Sequence, residues 1–415
     1  MKDRGLVKKS SVVSLWADKA LIASIFLFYV TLFLFYSWFP LNAAPILLGL
    51  AIYFPYLLAA NGTVLAGHLG ALLFLVLFSI LACTYLIVER GAGAIISMIF
   101  VFFASLPLLF IAIARVHDLG GEKFIVRVFL AFLIWQSLVV LWQIAGRVSS
   151  IGFDSSTHYN NELPENYALM LSGTYYNSND LAGTVGAIFA FFVLLKGQLR
   201  HLSTLGVFLC VFLALATASR AVLLFFVVST LYYSYSKSAL KGALAAVAGA
   251  GLSLVIFFVL TNYFRDIGFV ERISERFLSI IRVITEGVDS DNSMTLRLVS
   301  YFQFLSNLDS LGLGSVKLKD YYVFVGQLGP RFELMAVNPH SFIVEVGYWL
   351  GWAGLALWLF FIAMMASKDF GRYLYAIFSF LVLSMVSSSI FNNFMFFTAI
   401  FALLIFSHQR SLVRV

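Results

Sequence analysis

Charge is what this chain has least of. Asp, Glu, Lys and Arg make up only 11% of its 415 residues, against about 25% in an ordinary soluble domain. That deficit excludes a water-soluble enzyme and a charged, disordered chain. Cysteine is nearly absent: Cys83 and Cys210 both sit inside apolar runs, read as small buried hydrophobes and point to neither a disulfide framework nor a metal site. No HExxH, P-loop or glycine-rich nucleotide motif in the right context is present. No paired acids sit where a metal-binding outer turn would need them. The middle of the apolar stretches holds no Asp, Glu or Lys, which weighs against an ion-coupled transporter.

What remains is 61% hydrophobic. The expected fold is an all-α polytopic membrane protein, because only helices satisfy every backbone group of a span internally when the chain is this apolar. The net charge of +7 then reflects loops that hold topology, not nucleic-acid binding. Stretches near the ~20 residues needed to cross a bilayer fall at Ala20–Trp38, Asn42–Ala60, Leu69–Val88, Ala94–Ala114, Phe124–Gly146, Leu181–Leu195, Leu202–Ala218, Ala221–Ser236, Gly242–Thr261, Phe342–Ala366, Tyr373–Ser388 and Asn393–Phe406. This predicts about twelve transmembrane helices. The basic start MKDRGLVKKS is followed by an apolar run without a small-residue cleavage site, so that run reads as a retained span and not a signal peptide.

Basic residues are distributed unevenly. Lys8, Lys9, Lys196, Arg200, Lys237, Lys241, Lys368, Arg372, Arg410 and Arg414 fall on one side of this arrangement, and the short turns on the other hold Arg90 and Arg220. By the positive-inside rule both termini are cytoplasmic. The chain divides into a cytoplasmic N-terminus (1–19), nine helices (20–261) with a medium outer loop at 147–180, a long outer loop (262–341), three helices (342–406) and a cytoplasmic tail (407–415). The long loop is expected to be a helical subdomain. Val270, Ile273, Phe277, Ile280, Ile281 and Ile284 recur at helical spacing, which predicts an amphipathic helix. A second short helix is expected at about Leu296–Leu305, ended by the LGLG run at Leu311–Gly314.

Four residues stand out on the outer side. His340, in VNPHSF, lies where the long loop re-enters the membrane; it is either a general base or a polar interfacial anchor. Arg220, after Thr217-Ala218-Ser219, either snorkels to headgroups or binds a diphosphate through paired hydrogen bonds. Arg297 sits on the short loop helix. Both Arg297 and Arg265 read alternatively as salt-bridge partners of the loop's acids, and for Arg265, next to Asp266, that reading is favoured. In GTYYNSNDLAG, Asn177 and Asn179 are candidates to cap the following helix or to meet a ligand. Gly347, Gly351 and Gly354 form a small-residue face suited to close helix packing.

Four segments in order, GTYYNSNDLAG, TASRAVLL, SMTLRLVSYFQFLSNLDSLGLGS and NPHSFIVEVGYWLGWAG, together resemble the O-antigen ligase and polymerase superfamily over Gly173–Gly354. The single dominant outer loop near the C-terminus is most similar to the ligases of that superfamily. The resemblance implies a glycosyltransferase of the bacterial inner membrane with its active site on the periplasmic side. It implies an undecaprenyl-pyrophosphate-linked O-antigen as donor, lipid A–core as acceptor, membrane lipids as surroundings, and neither cofactor, metal nor nucleic acid. Polymerases and protein O-oligosaccharyltransferases share this core, and a lipid-linked oligosaccharide flippase is the alternative of another class. Carried over by position, the implied base is His340, and the implied diphosphate-binding residues are Arg220 and Arg297; Arg265 has no motif counterpart and is added from its place beside the span. Asn392 and Asn393 stand where the superfamily often has an acid, leaving a carboxylate partner for His340 unassigned.

Overall fold

The computed structural model describes residues 3–35, 41–59, 68–145, 171–175, 177–195, 200–235, 278, 282, 285–287, 300–315, 341–366, 369–386 and 390–408. Among them every regular element is helical. In chain order these are α1 (Asp3–Leu34), α2 (Ala44–Ala59), α3 (Leu69–Arg90), α4 (Met98–Asp118), α5 (Glu122–Ile144), α6 (Ser178–Leu194), α7 (Arg200–Ala216), α8 (Arg220–Tyr235), α9 (Phe342–Met364), α10 (Phe370–Ser384) and α11 (Phe394–His408). The expected ninth span at Gly242–Thr261, the amphipathic helix at 270–284 apart from isolated positions, most of the 147–180 loop and the C-terminal tail lie outside the described residues.

By length and composition, 5 helical segments can cross a membrane: Leu15–Leu34, Leu69–Ile96, Met98–Asp118, Glu122–Ile144 and Phe342–Met364. The other apolar helices are shorter. Helix α3 shows the surface character. Ala71, Leu75, Phe78, Ala82 and Leu86 face inward, while Leu69, Leu73, Leu77 and Ile80 are exposed. A helix apolar on both faces matches lipid, not water, as its outer solvent. The chain is a helical membrane protein. One boundary differs from expectation: α1 is continuous from Asp3, so Asp18 and Lys19 lie within the helix and not in a separate N-terminal segment.

Helices α6, α7 and α8 alternate in direction through short connections, so α6 and α8 run parallel. Helix α11 also runs parallel to α6: Asn393 bonds Thr184 at one end, and Phe406 packs on Phe191 at the other, ring centroids 5.0 Å apart. The three helices therefore open at the same end of the bundle, here the Arg220 end. The interior is largely aromatic, with Phe78, Phe103, Trp358, Phe361, Phe391, Phe397 and Phe401 in edge-on or tilted contact, the geometry ring quadrupoles favour.

Helix α9 is not one straight pass. Gly351 has φ 61° and ψ −156°, and there the chain reverses. In a continuous helix Phe342 and Trp358 would be about 24 Å apart; their ring centroids are 4.7 Å apart. Both rings also meet Phe78, Phe380 and Phe397. The segment is a helical hairpin: one arm (342–350) rises from within the bundle, and the other (352–364) descends beside α3. The single pass expected over Phe342–Ala366 is thus corrected. So is the small-residue face: Gly351 is the hinge, and Gly347 is where the two arms and Phe304 crowd together.

The end opposite Arg220 holds a buried ion pair. Asp18 and the Arg115 guanidinium lie 3.2 Å apart; Tyr53 donates to Asp18 at 2.8 Å, and Arg115 donates to the Tyr56 hydroxyl. The pair ties α1, α2 and α4 together. Asp18→Asn should strand a buried guanidinium and lower stability by about 3–5 kcal/mol, read as a reduced melting temperature in detergent, while Asp18→Leu with Arg115→Met recovers most of the loss. Nearby, His68 is buried with its ring 5.2 Å from that of His408. Burial, then the His408 charge, hold its imidazole down at about 4. Unfolding returns it to ~6.5. The stability it contributes is therefore whole above pH 6.5 and is lost as pH falls toward 4. Melting between pH 7 and 4 should show this acid loss, reduced in His68→Phe.

Candidate active site at the Arg220 end

Arg220 is the first residue of α8. The turn before it, Thr217 to Ser219, is buried, and Ala218 there takes φ 50°, a left-handed conformation that costs a non-glycine residue roughly 1 kcal/mol. A cation at a helix N-terminus opposes the helix dipole. Here the opposition is compounded, because α6 and α11 start at the same end. The half-buried Arg220 therefore stands at the end where α6, with the buried Asp180 in its first turn, and α11 also begin.

The GTYYNSNDLAG segment is fastened beside this end by two glutamines of α5. Gln143 accepts from the Gly173 N–H at 3.0 Å and donates to the Gly173 carbonyl at 3.1 Å, copying the paired bonds of a sheet ladder. Two turns of helix away, Gln136 accepts from the Thr174 N–H at 2.9 Å and donates to its hydroxyl at 2.6 Å. Gly173 has φ 59°, and a Cβ there would lie 2.3 Å from the Gln136 oxygen, so no other residue fits without displacing the clamp. Asn177 caps α6, accepting from the Asn179 N–H at 2.9 Å.

The clamped turn leads to Asn393. Its side-chain oxygen caps α11 by accepting from the Phe396 N–H at 3.1 Å, and receives Tyr29 at 3.2 Å and Tyr175 at 3.3 Å. Its amide donates to the Thr184 hydroxyl at 2.9 Å, which in turn donates to the Asp180 carbonyl at 2.8 Å. Burial raises the Tyr175 phenol well above its usual range, with Tyr29 adding to the shift, so it stays a neutral donor. Asn393 thus joins α1, α6, α11 and the clamped turn. An aspartate there would bring an uncompensated charge into a site served by neutral hydroxyls.

Of the four residues singled out from sequence, Arg220 is described; His340, Arg297 and Arg265 lie outside the described residues. Ser341, the residue after His340, is buried and opens the rising arm of α9. One helical turn further, Glu345 is also buried. Sequence reading passed over Glu345, because hydropathy placed it near the edge of a span; the hairpin places it at the depth of the aromatic core. Gln136, Gln143 and Asn393 were missed as anchors as well, and an uncharged amide inside an apolar run was the available signal. Among the described residues no group of three or more His, Cys, Asp or Glu side chains is gathered as a metal site would need. Comparison with known protein families and with characterised proteins finds no match.

Asn393→Leu removes a cap and leaves the buried Tyr29 phenol short of an acceptor, while Tyr175 keeps the Thr184 hydroxyl at 3.2 Å. The expected loss is about 2–4 kcal/mol, measured as a lower melting temperature, with Asn393→Gln also destabilised because its longer side chain misplaces both groups.

Proposed function

We propose that this chain is an O-antigen ligase: an inverting, metal-independent glycosyltransferase that moves O-antigen polysaccharide from undecaprenyl pyrophosphate to lipid A–core. The observation that carries the reading is Arg220 at the end of the bundle where α6, α8 and α11 begin. Fixed positive charge and helix N-termini are what a leaving diphosphate requires, and they stabilise it as charge develops. The resemblance of four ordered segments supplies the substrate class. The same reading assigns about twelve spans, both termini in the cytoplasm, and the Arg220 end to the periplasmic side of the bacterial inner membrane.

The chemistry needs an activated acceptor and a stabilised leaving group. His340, neutral near pH 7 if unperturbed, accepts the proton of a core-sugar hydroxyl. That oxygen forms the new bond at the donor's anomeric carbon while the bond to the diphosphate oxygen breaks. One displacement inverts the centre and releases undecaprenyl pyrophosphate, whose charge Arg220 and Arg297, with Arg265 near the span, take up. Both substrates are amphiphiles, so a mouth at the end of a lipid-facing bundle suits them.

Purified chain, lipid-linked donor and lipid A–core should give ligated product. His340→Ala should abolish transfer with insertion intact, and near-normal transfer by that variant refutes the base assignment. Arg220→Lys keeps charge but loses the paired bonds and should reduce transfer about 10²-fold or more. Transfer should persist in EDTA; a requirement for added divalent ion contradicts the arginine assignment. Product from a second lipid-linked repeat unit, or from a serine-containing protein, in place of lipid A–core would identify a polymerase or a protein glycosyltransferase. Movement of lipid without a new glycosidic bond would identify a flippase.

A further inference from the structure

The hinge of α9 is closed by a distant piece of chain. Where a helix breaks, the last carbonyls of one arm and the first N–H groups of the next lose their partners. Residues 311–315 supply new ones. Ser315 N–H donates to the Tyr348 carbonyl at 2.7 Å, and Trp352 N–H donates to the Gly312 carbonyl at 3.1 Å. One short turn therefore caps the rising arm and the descending arm together. Tyr85 of α3 fastens the turn from the other side, its hydroxyl donating to the Leu313 carbonyl at 2.9 Å.

The fit is backbone against backbone. Gly314 has φ 76°, and a Cβ on it would lie 2.5 Å from the Trp349 carbonyl oxygen and 2.6 Å from the Gly351 nitrogen. A Cβ on Gly351 would lie 2.4 Å from the Gly312 oxygen and 2.5 Å from the Gly314 nitrogen. No rotamer change relieves these approaches, because the atoms met are main-chain. The helical stretch 300–306 lies on the same arm: the Phe304 ring packs edge-on against Tyr348 at 5.3 Å and occupies the space a Cβ on Gly347 would need.

A hinge by itself needs only local capping. This one takes its cap from the long outer loop, and so welds that loop to the arm that begins at Ser341. The two strands of the joint are the ones that carry Arg297, three residues before Ser300, and His340, one residue before Ser341. We propose that Gly314, Gly351 and Tyr85 are positioning residues for the transfer reaction: their clasp holds the loop that bears a diphosphate-binding arginine in register with the arm that follows the base. The inference rests on the ligase reading and adds to it the joint that fixes residues 300–315 against the arm that begins at Ser341.

The test uses the full chain in detergent or nanodiscs, with lipid-linked donor and lipid A–core. Tyr85→Phe loses one hydrogen bond and no packing. It should lower kcat about 3–10-fold, with KM for both substrates and the melting temperature nearly unchanged, a split that a merely structural role does not produce. Gly351→Ala and Gly314→Ala should open the clasp, seen as faster hydrogen exchange at the Ser315 and Trp352 amides, and should lower kcat at least about 100-fold. Faster exchange at those amides with kcat unchanged overturns the positioning role and leaves the ligase reading standing. Should the alanine variants fail to fold, wild-type kcat in Tyr85→Phe overturns the role by itself. Absence of transfer by the unsubstituted chain overturns both, while the exchange measurement still reports the clasp.

Discussion

Backbone groups freed where a helix breaks must find new partners, and this constraint shapes the protein most at Gly351. Reversing a helix within the bundle is tolerated only if both halves are capped at the break. The cap comes from residues 311–315, so the hairpin and the loop cannot form independently. Loop, hinge and the α3 tyrosine that holds them make one cooperative unit. The descending arm then packs along α3 through Phe74 and Phe360, and the rising arm is enclosed by rings from α3, α10 and α11. Placing a chain segment inside a bundle, instead of across it, is how a membrane protein presents a loop residue at depth without exposing irregular backbone to lipid.

The same constraint explains where the polar side chains are. Several of those described meet a backbone need: Gln136 and Gln143 bind the turn at Gly173 and Thr174, Asn177 caps α6, and Asn393 caps α11 while collecting two tyrosines. The Asp18–Arg115 pair does comparable work at the opposite end, where each charge has the other and a tyrosine. A buried amide with all its bonds made fixes one register between helices that hydrophobic packing alone leaves free to slide.

This division sets what the sequence disclosed. Apolar length identified the helices and their order, because hydrophobicity over about 20 residues is a direct reading of bilayer thickness. The cap at Asn177 and the break after Leu305 were legible from local chemistry. The reversal at Gly351 was not. A re-entrant hairpin and a single crossing have the same length and the same hydropathy, and GYWLGWAG reads as a packing face until the φ of one glycine is known. The hidden depth of Glu345 follows from that. Asn393 stood out only as a missing acid, since its worth lies in partners that are about 200 residues or more away along the chain and no local pattern records them. Arg220 was legible as a costly charge at a lipid boundary; that three helices begin around it was a fact of packing.

Those parallel N-termini bear on the proposed transfer. A lone guanidinium at a membrane surface is screened by water and ions over about 8 Å at physiological salt. Helix ends held in a low-dielectric bundle are already oriented and pay no reorganisation when charge arrives. In α8, Arg220 stands at its own helix start, two residues after the left-handed Ala218. In the proposed transfer the electron pair of the breaking anomeric C–O bond stays on the diphosphate, which gains one negative charge as the hydroxyl proton passes to the base. Under the proposed reading, positive charge at this end of the bundle acts on the bond that breaks.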